Sequence, residues 1–280
     1  MTDVGRDASK LIVTDLDRTI IYSRNAIGMD VADEELRCVE YYQGAPLSYM
    51  TRRGAAALTE LAAMCFVVPA TTRTIEQFIR IDLPGAPWPF AIASNGGNIL
   101  VDGVPDEHWR RTVADAMREG GASLEEVTTE LGNRVSPDWV DKVRSADELF
   151  CYLVIRPEAL PAEFLPAWGL WCAERGWTVS RQGRKIYSMP AAVSKSRAVA
   201  EVRARLTAVG SLDQDARVLA AGDGGLDAEM LAAADAGVRP RHGELEALRW
   251  RHPGVVVTSG TGIAAGEQIL RWLAKEGQID

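Results

Sequence analysis

The chain is poor in the residues that build thiolate, disulfide and histidine sites: its 280 residues include four cysteines and three histidines. Cys38, Cys65, Cys151 and Cys172 lie far apart and form no C-x-x-C pair. That spacing argues against zinc and against a disulfide framework, and isolated reduced thiols are expected. His108, His242 and His252 are solitary and read as structural or solvated. There is no run of lysine and arginine, and the net charge is −8. Broad neutralisation of nucleic-acid phosphates is therefore not expected, although a small anion can still be bound locally. Long apolar runs are lacking too. The longest, residues 61–70, is too short for a bilayer and reads as a helix end running into a strand. Residues 1–10 are polar and charged, without the apolar core of a signal peptide, so a cytoplasmic location and no membrane partner are expected.

What is present is an ordinary globular composition, 47% hydrophobic and 25% charged, with enough length for two moderate domains. Short β-branched runs at 10–14, 65–70, 90–93 and 217–221 read as strands buried on both faces of a parallel sheet. Helical spacing follows at 51–64 with Thr51 as cap, at 75–81, at 195–206, at 228–234 and at 266–275. The expected fold is α/β, a doubly wound Rossmann-like parallel core. Residues 104–190 differ in texture, with two surface helices, a Trp-rich helix and strand-like runs at 149–155, 177–181 and 185–189. They read as an inserted α+β cap closing over the strand ends, which leaves core segments at 1–103 and 191–280. Residues 20–43 carry no readable pattern, and 41–46 reads as a turn.

Polar groups recur where these strands end. Asp15 and Asp17 follow the first strand and project to one side while the backbone stays extended. Two such hard carboxylates suit Mg²⁺ together with a substrate phosphate. Thr71, Thr72, Arg73 and Thr74 follow the second strand, either as an anion cradle or simply as a helix cap. Asn95 ends the third in a turn it can serve by itself. Lys195 opens a helix against the dipole, tolerated at the surface or held by an anion. Asp223 and Asp227 follow the strand at 217–221 in the glycine-rich stretch 222–227. Each signal alone also has a purely structural reading. In a parallel sheet, however, all these ends share one edge, so acid pair, hydroxyl, lysine and acid pair can meet in one crevice.

With Asp15-Leu16-Asp17-Arg18-Thr19 as a D-x-D-x-T motif, Thr71 as a second, Lys195 as a third and 222–227 as a fourth, the sequence resembles the haloacid dehalogenase superfamily of phosphohydrolases over nearly its whole length. The insert between the second and third motifs is similar to the branch with a large α/β cap, which includes sucrose-phosphate, trehalose-phosphate and mannosylglycerate-phosphate phosphatases. Arg18 stands where glycine is common, and Leu226 where asparagine often precedes the last acid. The resemblance implies a Mg²⁺-dependent phosphatase acting on a small phosphorylated metabolite, with a sugar phosphate as the analogous class. It implies Asp15 as nucleophile, Asp17 as acid and base, and Thr71 and Lys195 as phosphoryl-stabilising groups. The implied metal set is the Asp15 side chain, the Asp17 carbonyl and Asp223, with Asp227 orienting waters or Lys195. Leu16, Thr72, Arg73 and Asn95 are expected on the substrate side, and Arg184 and Lys185 in the cap. An alternative is a phospho-accepting receiver module, but such modules are shorter and lack a cap, and a general acid two residues beyond the nucleophile favours turnover; a dehalogenase would have no use for Asp17. A dinucleotide site is not supported, because Asp227 occupies the last position of the G-x-G-x-x-G spacing.

Overall fold

In the computed structural model, which describes residues 5–277, the chain divides into two compact units. One combines the described residues up to Pro105 with those from Lys195 onward, and the other is Asp106–Ser194. Residues 1–4 of the polar opening stretch lie outside the described residues.

The first unit is built on a five-stranded parallel sheet. Its spatial order is Val255–Val257, Ala236–Arg239, Arg217–Ala221, Asp7–Thr14 and Cys65–Pro69. Leu11, Ile12 and Val13 in its middle are fully buried, as a strand covered on both faces requires. One face, marked by Ile12, Val67 and Leu219, packs on Leu58, Leu61, Ile269, Leu270 and Leu273 from helices Arg52–Met64 and Gly262–Gly277. Thr51 caps the first of these by accepting from the Gly54 N–H at 2.9 Å. Helices Lys195–Ala208 and Ala228–Ala233 pack on each other. A parallel bridge from Ala70 to Ile92 continues the edge into the hairpin of Phe90–Ala93 and Asn98–Val101. The doubly wound parallel core is therefore the one its strand pattern predicts.

The stretch without readable pattern folds as a second sheet, Tyr22–Ser23, Leu36–Tyr42 and Ala45–Thr51. Residues 41–46 are more than a turn: Gln43 and Gly44, both with positive φ, join two seven-residue strands. Register shifts around Glu40 put Val39 and Glu40, adjacent in sequence, both out of solvent. Alternation is lost at such a bulge, which is why periodicity does not reveal the strand.

The Asp106–Ser194 unit is an antiparallel four-stranded sheet, Trp177–Gln182, Lys185–Pro190, Phe150–Ile155 and Val140–Ala146, with helices Glu107–Gly120, Leu124–Arg134 and Phe164–Ala173. Trp168, fully buried, donates its indole N–H to Ser188 Oγ at 2.8 Å. The strand Val140–Ala146 has no sequence signal because Asp141–Ser145 are exposed on an edge. The Trp-rich helix is shorter than residues 157–175 imply, a separate single turn at Pro157–Ala159 preceding it. Among the described residues, no helix is long and apolar enough to cross a membrane.

Candidate active site

The strand Asp7–Thr14 hands its chain to the site directly. Asp15 donates its N–H to the Ala221 carbonyl at 2.8 Å, so it stays in sheet register while its side chain leaves the strand end. Beyond it the chain closes a tight loop. The Leu16 carbonyl accepts from the N–H groups of Thr19, Ile20 and Ile21, and Leu16 itself is fully buried. Arg18 adopts a φ of 63°, a left-handed conformation that explains why a glycine suits this position. The surroundings hold Arg18 in place: its carbonyl accepts from His242 Nε2 at 2.7 Å, and its Nε lies 3.5 Å from Asp223 Oδ2.

Four groups from two strand ends and a helix start come together here. Lys195 Nζ lies 2.6 Å from Asp15 Oδ1 and 2.6 Å from Asp227 Oδ1, and all three side chains are buried. The other oxygen of Asp15 accepts from the Thr19 hydroxyl at 2.8 Å. Asp227 Oδ2 accepts from the N–H groups of Asp223 and Gly224 at 3.1 and 2.9 Å, which completes its hydrogen bonding. Carboxylate oxygens of Asp15, Asp223 and Asp227 lie within 4.8 Å of one another. Gly222 is required by this packing, since a Cβ there would sit 2.5 Å from the Asp227 Cβ.

Electrostatics follow from burial. Desolvation pushes the Asp15 carboxyl up to about 7, with Lys195 pulling it down and Asp227 adding to the rise. Asp223 is raised well above the ordinary carboxylate range, first by burial and then by Asp15 and Asp227. Burial opposes the charge on Lys195, but Asp15 and Asp227 outweigh it and hold the ammonium above its usual value. Three buried carboxylates thus face one buried lysine and one half-exposed arginine, an excess of negative charge that a divalent cation would offset.

Asp17 belongs to a different neighbourhood. Its carboxylate is gripped by the Arg73 guanidinium, Nε to Oδ2 and Nη2 to Oδ1, both at 2.7 Å. Arg73 Nη1 donates to Glu40 Oε2 at 2.7 Å, and Nη2 also reaches Ser48 Oγ at 3.2 Å. The arginine expected on the substrate side thus spends its planar fork on Asp17 and on the hairpin behind it. Thr71 is fully buried; its N–H donates to the Ile92 carbonyl and its hydroxyl accepts from the Arg73 N–H at 3.1 Å. The cap of the following short helix is Thr74, which exchanges hydrogen bonds with Gln77, so Thr71 is not needed as a cap. Thr72 is half-buried. Asn95, buried and at φ 57°, donates its N–H to the Thr71 carbonyl at 2.9 Å. In the inserted unit, Arg184 is engaged by the Asp141 carboxylate at 2.5 Å and the Ile155 carbonyl at 3.1 Å. Lys185 Nζ lies 5.4 and 5.9 Å from the ring centres of Tyr152 and Tyr187.

Sequence reasoning missed the segment 239–245. His242 accepts the Gly262 N–H at Nδ1, 3.1 Å, which fixes Nε2 as the protonated nitrogen that donates to Arg18. Burial keeps this imidazole below the ordinary histidine value and so favours that neutral form. Gly243, at φ 86°, lies so close to Asp223 that a Cβ would collide with its carboxylate. Glu244 accepts from the Gly225 N–H at 2.7 Å, and Leu245 N–H donates to the Asp223 carbonyl. A histidine followed by glycine is the only sequence signal, and alone it says nothing.

The sequence matches no protein-family model and no curated protein. Solved structures do match. The sucrose-phosphatase of Synechocystis sp. PCC6803, determined with sucrose and phosphate, aligns with a TM-score of 0.65 at 16% identity over 96% of this chain and 98% of that one. A trehalose-6-phosphate phosphatase related protein gives 0.51 at 16% identity over 96% and 98%. A phosphatase of the haloalkanoate (HAD) enzyme superfamily from Bacteroides thetaiotaomicron gives 0.50 at 17% identity over 99% and 98%. The chain shares the fold of these structures. Within that fold the D-x-D-x-T loop, Lys195 and the 222–227 loop sit at the carboxyl edge of the sheet, where an open α/β sheet places its ligand.

Proposed function

We propose that this chain is a Mg²⁺-dependent phosphatase of small phosphate monoesters that works through a phosphoryl group carried on Asp15. One observation supports the reading above the others: Lys195 joins Asp15 to Asp227 while Asp223 stands within the same 4.8 Å cluster. The donors fit the ion, being hard, buried carboxylate oxygens in negative excess. Asp15 and Asp223 would hold Mg²⁺, with the Asp17 carbonyl as a further donor, because Asp227 already satisfies Lys195 and two N–H groups. When bound, Mg²⁺ supplies positive charge that keeps Asp15 ionised and counters the phosphoryl oxygens.

The chain's own groups do the rest. Thr19 and Lys195 fix the rotamer of Asp15, which attacks phosphorus. Lys195, the Thr71 hydroxyl and the backbone N–H groups of Leu16 and Thr72 oppose the charge on the transferring group. Asp17 gives a proton to the leaving oxygen and then takes one from the water that hydrolyses the acyl phosphate. An acid two residues beyond the nucleophile favours turnover over a lasting phosphoryl mark, which sets the enzyme apart from a receiver module. A sugar phosphate is the favoured class, because the matching Synechocystis structure holds sucrose and phosphate. Arg184, committed to Asp141 and Ile155, is a structural residue in this reading.

The test is hydrolysis of 4-nitrophenyl phosphate. Turnover is expected with Mg²⁺, is expected to stop with a chelator, and is expected to be absent from Asp15→Asn. Wild-type turnover by that variant would remove Asp15 as nucleophile, and a persistent acyl phosphate without release after treatment with acetyl phosphate would favour the receiver.

A further inference from the structure

Glu40 lies in none of the four motifs, and its side chain is fully out of solvent on a strand the sequence does not announce. A carboxylate is not buried for the sake of a β-hairpin, since an apolar residue would fill the same place without desolvation cost. Its partners give it a purpose. Oε2 accepts from the Ser48 hydroxyl at 2.6 Å and from Arg73 Nη1 at 2.7 Å, and Oε1 takes a longer contact from Arg80 Nη2 at 3.4 Å. Arg80 is in turn 3.5 Å from Glu76. With Nη1 on Glu40, Arg73 has its Nε and Nη2 edge directed at both oxygens of Asp17. A guanidinium is planar and its donors are fixed relative to one another, so fixing one edge fixes the other.

We propose that Glu40, set by Ser48, is a positioning residue that acts through Arg73 to aim the Asp17 carboxyl at the leaving-group oxygen. This rests on the phosphatase reading above and goes beyond the motif residues to the hairpin Leu36–Thr51, which then belongs to the catalytic apparatus. In the step concerned, an Asp15 oxygen forms a bond to phosphorus. The bond from phosphorus to the ester oxygen breaks, its electron pair stays on that oxygen, and Asp17 supplies the proton the oxygen takes up. Poor positioning of Asp17 is felt only where the leaving oxygen needs that proton.

Leaving-group dependence therefore tests the proposal. We would measure kcat/KM for phenyl phosphate, a poor leaving group, and for 2,4-dinitrophenyl phosphate, a good one, in wild type, Asp17→Asn and Glu40→Gln. In Glu40→Gln the value for phenyl phosphate is expected to fall about tenfold, part of the usual contribution of a general acid. That for the dinitrophenyl ester is expected to fall less than twofold, and adding Glu40→Gln to Asp17→Asn to cost nothing further. Equal losses on both esters, or additive losses in the double variant, would show a merely structural role and overturn the proposal. If Glu40→Gln loses its near-ultraviolet circular dichroism, Ser48→Ala replaces it, with a threefold loss expected on phenyl phosphate alone and an equal or zero loss on both esters counting against the proposal. Failure of wild type to hydrolyse either ester would instead overturn the phosphatase reading on which it rests.

Discussion

The two aspartates of the D-x-D motif are separated by one residue, yet they live in opposite kinds of surroundings. Asp15 is buried against an ammonium and beside two more carboxylates, whereas Asp17 is nearly half exposed and held by a guanidinium. The first environment holds a surplus of negative charge and waits for a cation. The second is balanced by arginine before any ion arrives. One strand end thus supplies two carboxylates in different surroundings, which suits the proposed division into a nucleophile and a proton carrier, because each is met by a different part of the chain.

Breaking the first environment should have the largest effects. Asp15→Asn is expected to lower turnover of an aryl phosphate by on the order of 10⁴-fold or more, as loss of a nucleophile does, measured as steady-state phosphate release. Lys195→Met leaves Asp15, Asp223 and Asp227 facing one another without their buried cation. It is expected to cost about 3–5 kcal/mol of metal-free stability, read by urea denaturation. Gly243→Ala forces a methyl group onto Asp223 at a positive φ and should weaken Mg²⁺ affinity by roughly tenfold or more, measured by titration calorimetry.

The cation deficit also has a pH signature. Asp15 in the fold titrates at about 7, against 3.8 for the free group. Between those limits the folded, metal-free protein binds more protons than the unfolded chain and loses stability as pH rises. Mg²⁺ competes with those protons, so it should raise the melting temperature by a few degrees at pH 8 and hardly at all at pH 5. The smallest effect belongs outside both environments. Thr51→Ala removes a helix cap, costs about 1 kcal/mol and should leave kcat/KM unchanged.

The first environment was legible in the sequence and the second was not, and topology explains both. Asp15, Thr71, Lys195, Asp223 and Asp227 each follow a strand or open a helix of the parallel core, and such ends must share an edge. Their order along the chain therefore carries their proximity. Glu40 sits in a bulged hairpin whose buried faces do not alternate, so nothing in that patternless stretch marks it. Arg73 is legible as a cation at a strand end but not as the partner of Asp17, because nothing in a sequence says which carboxylate an arginine will choose. His242 is structural, as its solitary place in the sequence suggests, but the sequence does not say what it holds: its ring links the Arg18 carbonyl to the Gly262 N–H.

The inserted unit shows the same division. Its helices and three of its strands have amphipathic or apolar patterns, while the exposed edge strand Val140–Ala146 has none.

The central claim is that Asp15 becomes covalently phosphorylated during turnover. Acid quenching of the Mg²⁺-loaded enzyme during turnover of an aryl phosphate, followed by peptide mass spectrometry, tests it most directly. The account predicts one added phosphoryl group on the peptide containing Asp15, discharged on longer incubation and absent from Asp15→Asn. A phosphoryl group on any other residue, or turnover with none at all, would contradict it.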